Sequence, residues 1–147
     1  MENSYIAIAR QAKIGITCMY RKGASNEFAA SASKTAERYL KAVIEIYGDA
    51  SIDPSVLKTH SMKRLYKACQ KIEGFNLDKK DTDALSGYYF EASYPGDNFV
   101  EVSEEEEDAC FEALNNIADA VEKFIESKNT AQSGSNIREN IRKALDV

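Results

Sequence analysis

The sequence predicts an all-α fold of about five helices with a short C-terminal extension. Three observations predict it. Apolar residues recur at three- and four-residue intervals through most of the 147 residues, the spacing that lines one face of a helix. Only two prolines and seven glycines are present, so breakers are few and each position is informative. No segment alternates apolar and polar residues as a half-buried strand does.

Taken in order, Tyr5, Ile8, Ala12, Ile16 and Met19 give a first amphipathic helix from about Asn3 to Arg21. Lys22-Gly23-Ala24-Ser25 breaks it, with Ser25 or Asn26 as the expected cap of the second helix. That helix carries Phe28, Ala32, Ala36, Tyr39, Leu40, Val43 and Tyr47 and stops at Gly48. Its small face, Ala29, Ala32, Ser33 and Ala36, would let another helix approach closely and is expected in a dimer contact. Asp53-Pro54 reads as a cap followed by proline in a first turn. A third helix, about Thr59 to Glu73, sets Met62, Leu65, Cys69 and Ile72 opposite His60, Arg64, Lys67 and Lys71, and Gly74 ends it.

Asp78 caps a fourth helix containing Leu85, Tyr88, Tyr89 and Ala92. It stops before Tyr94-Pro95-Gly96-Asp97, because proline disfavours a helical residue ahead of it. Ser103 opens the fifth helix, with Glu106 completing a capping box. Cys110, Leu114, Ile117, Val121 and Phe124 form its stripe, and Glu104 to Glu107 fill its first turn, where the helix dipole favours acid. The bundle is therefore expected over residues 3–127. Residues 128–147 read as a polar linker, Asn129 to Ser135, and a thin twelve-residue helix or tail carrying Ile137, Ile141, Ala144 and Leu145. A helix that short is marginal alone.

Composition excludes several function classes. Hydrophobic residues are 44% and charged residues 29%, the balance of a globular domain. No apolar run approaches the roughly 18 residues of a membrane span, and Met1-Glu2-Asn3-Ser4 lacks a secretion signal's basic and apolar regions. Cys18, Cys69 and Cys110 are odd in number and far apart. They are expected to be reduced core thiols in a cytoplasm, not a disulfide framework or a zinc site. The net charge of −5 argues against wholesale nucleic-acid binding. Its distribution is uneven: seven bases between Lys58 and Lys80 face only Glu73 and Asp78, whereas Glu101 to Asp108 holds six acids and no base.

The single histidine rules out a two-histidine metal site. There is no Gly-rich phosphate loop and no oxygen-ligand loop, so the sequence implies no metal, no cofactor and no complete catalytic set. The face His60, Arg64, Lys67 and Lys71 is either an ordinary solvated face or a phosphate-reading surface for RNA or a nucleotide. Tyr66, Tyr88, Tyr89 and Tyr94 are either stacking platforms for bases or half-buried tyrosines with satisfied hydroxyls.

The order of these features resembles the HEPN domain family. Ala32-Ser33-Lys34-Thr35-Ala36-Glu37-Arg38-Tyr39-Leu40-Lys41-Ala42 is similar to that family's Gln-Ala-Ala-Glu-Lys-x-Leu-Lys-Ala helix. Lys58-Thr59-His60-Ser61-Met62 resembles its Thr-His-Asp-Leu entry into the third helix, and Tyr88 to Asp97 its Tyr-x-x-x-Arg-Tyr-Pro-Asp segment. The resemblance covers residues 3 to 127 and implies an up-and-down bundle that usually dimerises. Many members are RNases, often toxins paired with a nucleotidyltransferase antitoxin, and their signature is an arginine followed four to six residues later by histidine. Here Asp53, Pro54, Ser55 and Val56 stand upstream of His60, and Ser93 occupies the place of the arginine before Tyr-Pro. The signature is absent. The resemblance therefore implies a non-catalytic, homodimeric member binding a nucleotide, RNA or a partner protein. Lys41, His60, Arg64, Lys67 and Lys71 are the expected anion contacts, with Tyr94 and Pro95 shaping the loop beside them. An RNase using His60 as base and Arg64 to stabilise the phosphorane is the alternative, and a pure interaction module the third.

Overall fold

The computed structural model describes residues 2–145, apart from the side chains at positions 133, 135 and 136. Among them the regular structure is α1 (Tyr5–Met19), α2 (Ser25–Tyr47), a 3-10 turn (Pro54–Lys58), α3 (Met62–Gln70), α4 (Lys79–Leu85), α5 (Tyr88–Glu91) and α6 (Glu104–Leu145). The fold is all-α. Positions 146 and 147 of the expected tail lie outside the described residues.

Helix α2 is the axis of the bundle and touches α1, α3, α4, α5 and α6. Side-chain pairs give the directions. Tyr20 at the end of α1 packs on Phe28 near the start of α2, so these two run antiparallel. Phe28 meets Phe111 and Tyr47 meets Phe124, so α2 and α6 run parallel. Asp81 accepts from Asn116 and Tyr88 donates to Glu106, so α4 and α5 run back along α6. The core is closed at its two ends by aromatic clusters, Tyr20–Phe28–Phe111 and Tyr47–Phe75–Phe124. Burying each such ring stabilises the fold by about 2–3 kcal/mol.

The small face of α2 does admit close helix approach, but inside the molecule. Ala29, Ala32, Ser33 and Ala36 are buried in the core, and the Ser33 hydroxyl donates to the Leu85 carbonyl. That face is therefore spent within one chain and cannot form the dimer contact expected of it. Among the cysteines, Cys69 and Cys110 are buried as expected and burial pushes both thiols up to about 12. Cys18 is exposed, because α1 turns its Ala9–Ile16 edge inward instead.

Local chemistry explains the boundaries. Asp53 caps the Pro54 turn through the Ser55 N–H, Asp78 caps α4 through Lys80, and Ser103 accepts from Glu106 N as the capping box requires. At α2 neither Ser25 nor Asn26 acts as the cap; Ala24 stands there without a side-chain bond. The Ser25 hydroxyl donates instead to Glu107, and Asn26 becomes a clamp described below. The expected fourth helix is two, because Gly87 sits at φ 90°, a left-handed conformation that glycine adopts at little cost.

The acidic run is structural. Arg21 pairs with Glu104 and Asp108, the Tyr20 hydroxyl donates to Asp108, and Glu107 accepts from Arg21 N and Ser25. These contacts seat the start of α6 against the α1–α2 corner. Beyond Ser127, the segment expected to be a linker is helical throughout. Nucleating a helix is the costly step and extending it is not. The docked half of α6 supplies the nucleus, no proline interrupts, and Gly134 alone costs only about 1 kcal/mol.

Candidate functional site

The expected site residues fall into three places. The first is interior. His60 does not lie on the polar face of α3; it precedes that helix, and its Nδ1 stands 3.1 Å from Glu37 Oε2 on α2. Glu37 is buried, and Lys41 one turn later is buried beside it with Nζ 3.9 Å from the same oxygen. Burial holds the Glu37 carboxyl above its usual range, against the opposing pull of the His60 hydrogen bond and the Lys41 charge. Burial likewise holds the Lys41 ammonium below its usual range. Glu37 Oε1 has no hydrogen-bond partner among the described residues. Lys41 therefore faces Glu37 instead of solvent, and the anion contact expected of it is not formed at the surface.

Over this pair lies an aromatic stack. The His60 ring is parallel to Tyr89, centroids 4.3 Å apart, and meets Phe90 edge-on at 5.9 Å. In the tautomer whose Nδ1–H donates to Glu37, the other ring nitrogen, Nε2, would be the acceptor for an outside proton donor. This is the arrangement in which a carboxylate orients a histidine base. Glu37, which brings His60 and Lys41 together, is the member of this arrangement that the sequence did not single out. The available signal was its place in one row along α2, one turn after Ser33 of the small face and one turn before Lys41.

The second place is a cleft of about 170 Å³ lined by Ile52, Asp53, Val56, Arg64, Lys67, Ala68 and Lys71. Arg64 is held by a 3.1 Å bond from Nη2 to Ser55 Oγ, and Lys71 by a 3.0 Å bond from Nζ to the Ser51 carbonyl. Asp53 is the acid in the cleft, and its carboxylate is held below its usual range chiefly by the Ser55 backbone N–H. Three cations on an apolar floor suit a phosphate with a flat group attached. His60 is not part of this cleft.

The third place is a loop. Asn26 donates to the Ala92 and Val100 carbonyls, at 3.2 and 2.8 Å, and accepts from Val102 N at 2.8 Å. Val100 N also donates to the Glu91 carbonyl, at 2.9 Å. The loop between is pinned at its neck and encloses a hollow of about 350 Å³ lined by Phe90, Glu91, Tyr94, Pro95, Gly96, Asp97, Asn98 and Phe99. Tyr94 and Pro95 thus border two carboxyl-bearing residues, Glu91 and Asp97, and no cation lines the hollow. Tyr94 also lines a smaller cavity of about 120 Å³ with Lys34, Tyr89 and Ser93. Of the four tyrosines singled out, Tyr66 and Tyr88 are half-buried with satisfied hydroxyls, Tyr66 accepting from Gln70 and Tyr88 donating to Glu106.

An all-helical bundle carrying an oriented histidine and a separate cationic cleft narrows the class without fixing it. Comparison with known families does: the HEPN domain model matches residues 5–128, and the chain belongs to that family. No curated protein and no solved structure matches the chain. Among the described residues no group of three or more histidine, cysteine, aspartate or glutamate side chains could hold a metal ion. No helix there is long and apolar enough to cross a membrane.

Proposed function

We propose that this HEPN domain is a non-catalytic binding domain for a nucleotide or a single-stranded RNA segment, held through Arg64, Lys67 and Lys71. The supporting observation is their convergence on one apolar-floored cleft, with Arg64 and Lys71 already hydrogen-bonded in place. Prepositioned cations lose less freedom on binding than free ones. The non-catalytic part rests on Ser93, which stands where the resemblance puts the signature arginine. A nucleotidyltransferase is the partner protein that the family resemblance suggests trying first.

Fluorescence polarisation with a labelled single-stranded RNA and with ATP tests this reading. Binding should weaken with salt, with a log–log slope of about −2 for three phosphate contacts on a single strand. It should be lost in the Arg64→Ala, Lys67→Ala double variant. Equal affinity in that variant would sink the proposal.

One observation favours a second reading, an RNase. Glu37 orients His60 as a carboxylate orients a general base, leaving Nε2 available for a ribose hydroxyl. The cleft cations that would stabilise a phosphorane do not include a partner beside His60, so the expected outcome is no cleavage by purified protein. Cleavage abolished by both His60→Ala and Glu37→Gln would establish the RNase instead.

A further inference from the structure

Eight large apolar side chains are exposed among the described residues, and six of them lie in two places. Phe90, Tyr94 and Phe99 surround the loop hollow; Ile137, Ile141 and Leu145 form one stripe on the C-terminal arm of α6, residues 128–145. Their exposures run from 50% to 80%. The charges of the two places are opposite. From Asp81 to Glu122 the chain has thirteen acids and no lysine, arginine or histidine. Most of these acids have partners within the fold, but Asp97 at the hollow has no cation beside it among the described residues. The arm has four bases, Lys128, Arg138, Arg142 and Lys143, against Glu139 alone. Lys143 pairs with Glu139, and Arg138 and Arg142, beside the isoleucines, form no ion pair among the described residues.

The arm cannot reach the hollow of its own chain. The hollow sits just before α6 begins, and α6 is unbroken from Glu104 to Leu145. The 33 positions from Glu104 to Ile137 span about 50 Å of helix. An arm that fills the hollow therefore belongs to another molecule. An aromatic wall with a carboxylate suits an apolar side chain flanked by a guanidinium, which stacks on rings as well as pairing with acid.

We propose that the arm of one copy docks in the Phe90–Phe99 hollow of a second copy. With two copies side by side and antiparallel, the end of each α6 lies level with the start of the other. Each arm then passes over its neighbour's loop, and the exchange is reciprocal and closes on a dimer. Each arm contributes two to three turns, less than a standard interface supplies, so the association is of micromolar strength and salt-sensitive. The contact is separate from the cationic cleft and stands whether or not that cleft binds phosphate.

Sedimentation velocity on the full chain tests it. The mass should rise from 16.4 kDa towards twice that value over the micromolar range and fall back with added salt. Ile141→Asp and Phe99→Ser should each weaken association by about tenfold or more, as expected for losing one buried apolar side chain. Asp97→Lys should weaken it too, and combining that change with Arg138→Glu and Arg142→Glu should restore part of the loss. Ile141 lies outside the bundle, so its variant reports on docking even where Phe99→Ser disturbs the loop. A monomer at every concentration overturns the proposal. So does a dimer indifferent to both the Ile141 and Phe99 changes, and so does growth past the dimer.

Discussion

The two halves of α6 are one helix held in two different ways. From Glu104 to Ser127 the helix is fastened by Arg21 and Tyr20 at its start, by Phe111 on Phe28, and by Phe124 on Tyr47 and Phe75 near its end. From Lys128 to Leu145 its side chains are exposed apart from Gly134 and the undescribed positions. The first half is helical because packing stabilises it. The second is helical because the first has already formed, and extension is inexpensive. Helical structure by itself therefore says nothing about burial, and the halves should respond differently to perturbation.

The largest effect is expected at the packed end. Phe124→Ala empties the Tyr47–Phe75 cluster and should destabilise the fold by about 3–5 kcal/mol, read from urea unfolding. A loss under about 1 kcal/mol would mean that this end is not packed as described. Next is Asn26→Ala, which leaves the Ala92 and Val100 carbonyls and the Val102 N–H in front of α6 without their partner. Stability should fall by about 2–3 kcal/mol, and the 93–101 loop should become the first site of limited proteolysis. Cleavage elsewhere first would reject the clamp.

Acidity also distinguishes the buried side of the bundle from the arm. Because burial raises the Glu37 carboxyl, the folded chain holds that proton more tightly than the unfolded chain. The associated stability is present below the ordinary carboxylate range and is lost as pH rises through the raised value. Asp49, Asp53 and Asp108 are shifted downward, so their contribution has the opposite sign and is lost on acidification. The Glu37 contribution is thus read as the difference between the wild type and Glu37→Gln across about pH 4 to 7. That difference should change with pH in the wild type's disfavour as pH rises. A constant difference would count against the assignment.

Truncation after Ser127 should move the melting midpoint by no more than about 2–4 °C, the shift of roughly 1 kcal/mol in a chain this size. It is best measured at dilutions where chains do not associate. The smallest effect is Gly134→Ala, where an added methyl meets nothing within 4 Å. It should raise local helicity by about 0.5–1 kcal/mol and slow amide exchange in the arm, with global unfolding unchanged. Any cooperative rise in the melting midpoint would show that the arm belongs to the bundle.

Much of the fold was legible because it depends on local signals. The stripes of the second and fifth helices, the Asp53, Asp78 and Ser103 caps and the acidic first turn all appear where the residues indicate. What was not legible depends on distance. Nothing near position 25 shows that Ser25 would turn to Glu107, or that Asn26 would hold a loop more than sixty residues away. Gly87 carries no local sign of a break, because Leu85, Tyr88, Tyr89 and Ala92 around it continue a helical pattern. At the site, Arg64, Lys67 and Lys71 share one face of one helix, and the structure brings them together. His60 and Lys41 belong instead to a pair organised by Glu37, whose role arises from burial, and burial is set by the whole bundle.

The unbroken course of α6 also makes the arm a pointer with a fixed phase. Each residue added at its root advances the stripe by about 1.5 Å and rotates it by about 100°. One alanine inserted after Lys128 would turn Ile137 and Ile141 well away from their present bearing, two would carry them round to nearly the opposite side, and seven would return them close to it. The facing of the arm is thus encoded in the count of residues between Ser127 and Ile137 as much as in their identity. A tolerated substitution and a one-residue insertion at the same position would then have entirely different consequences.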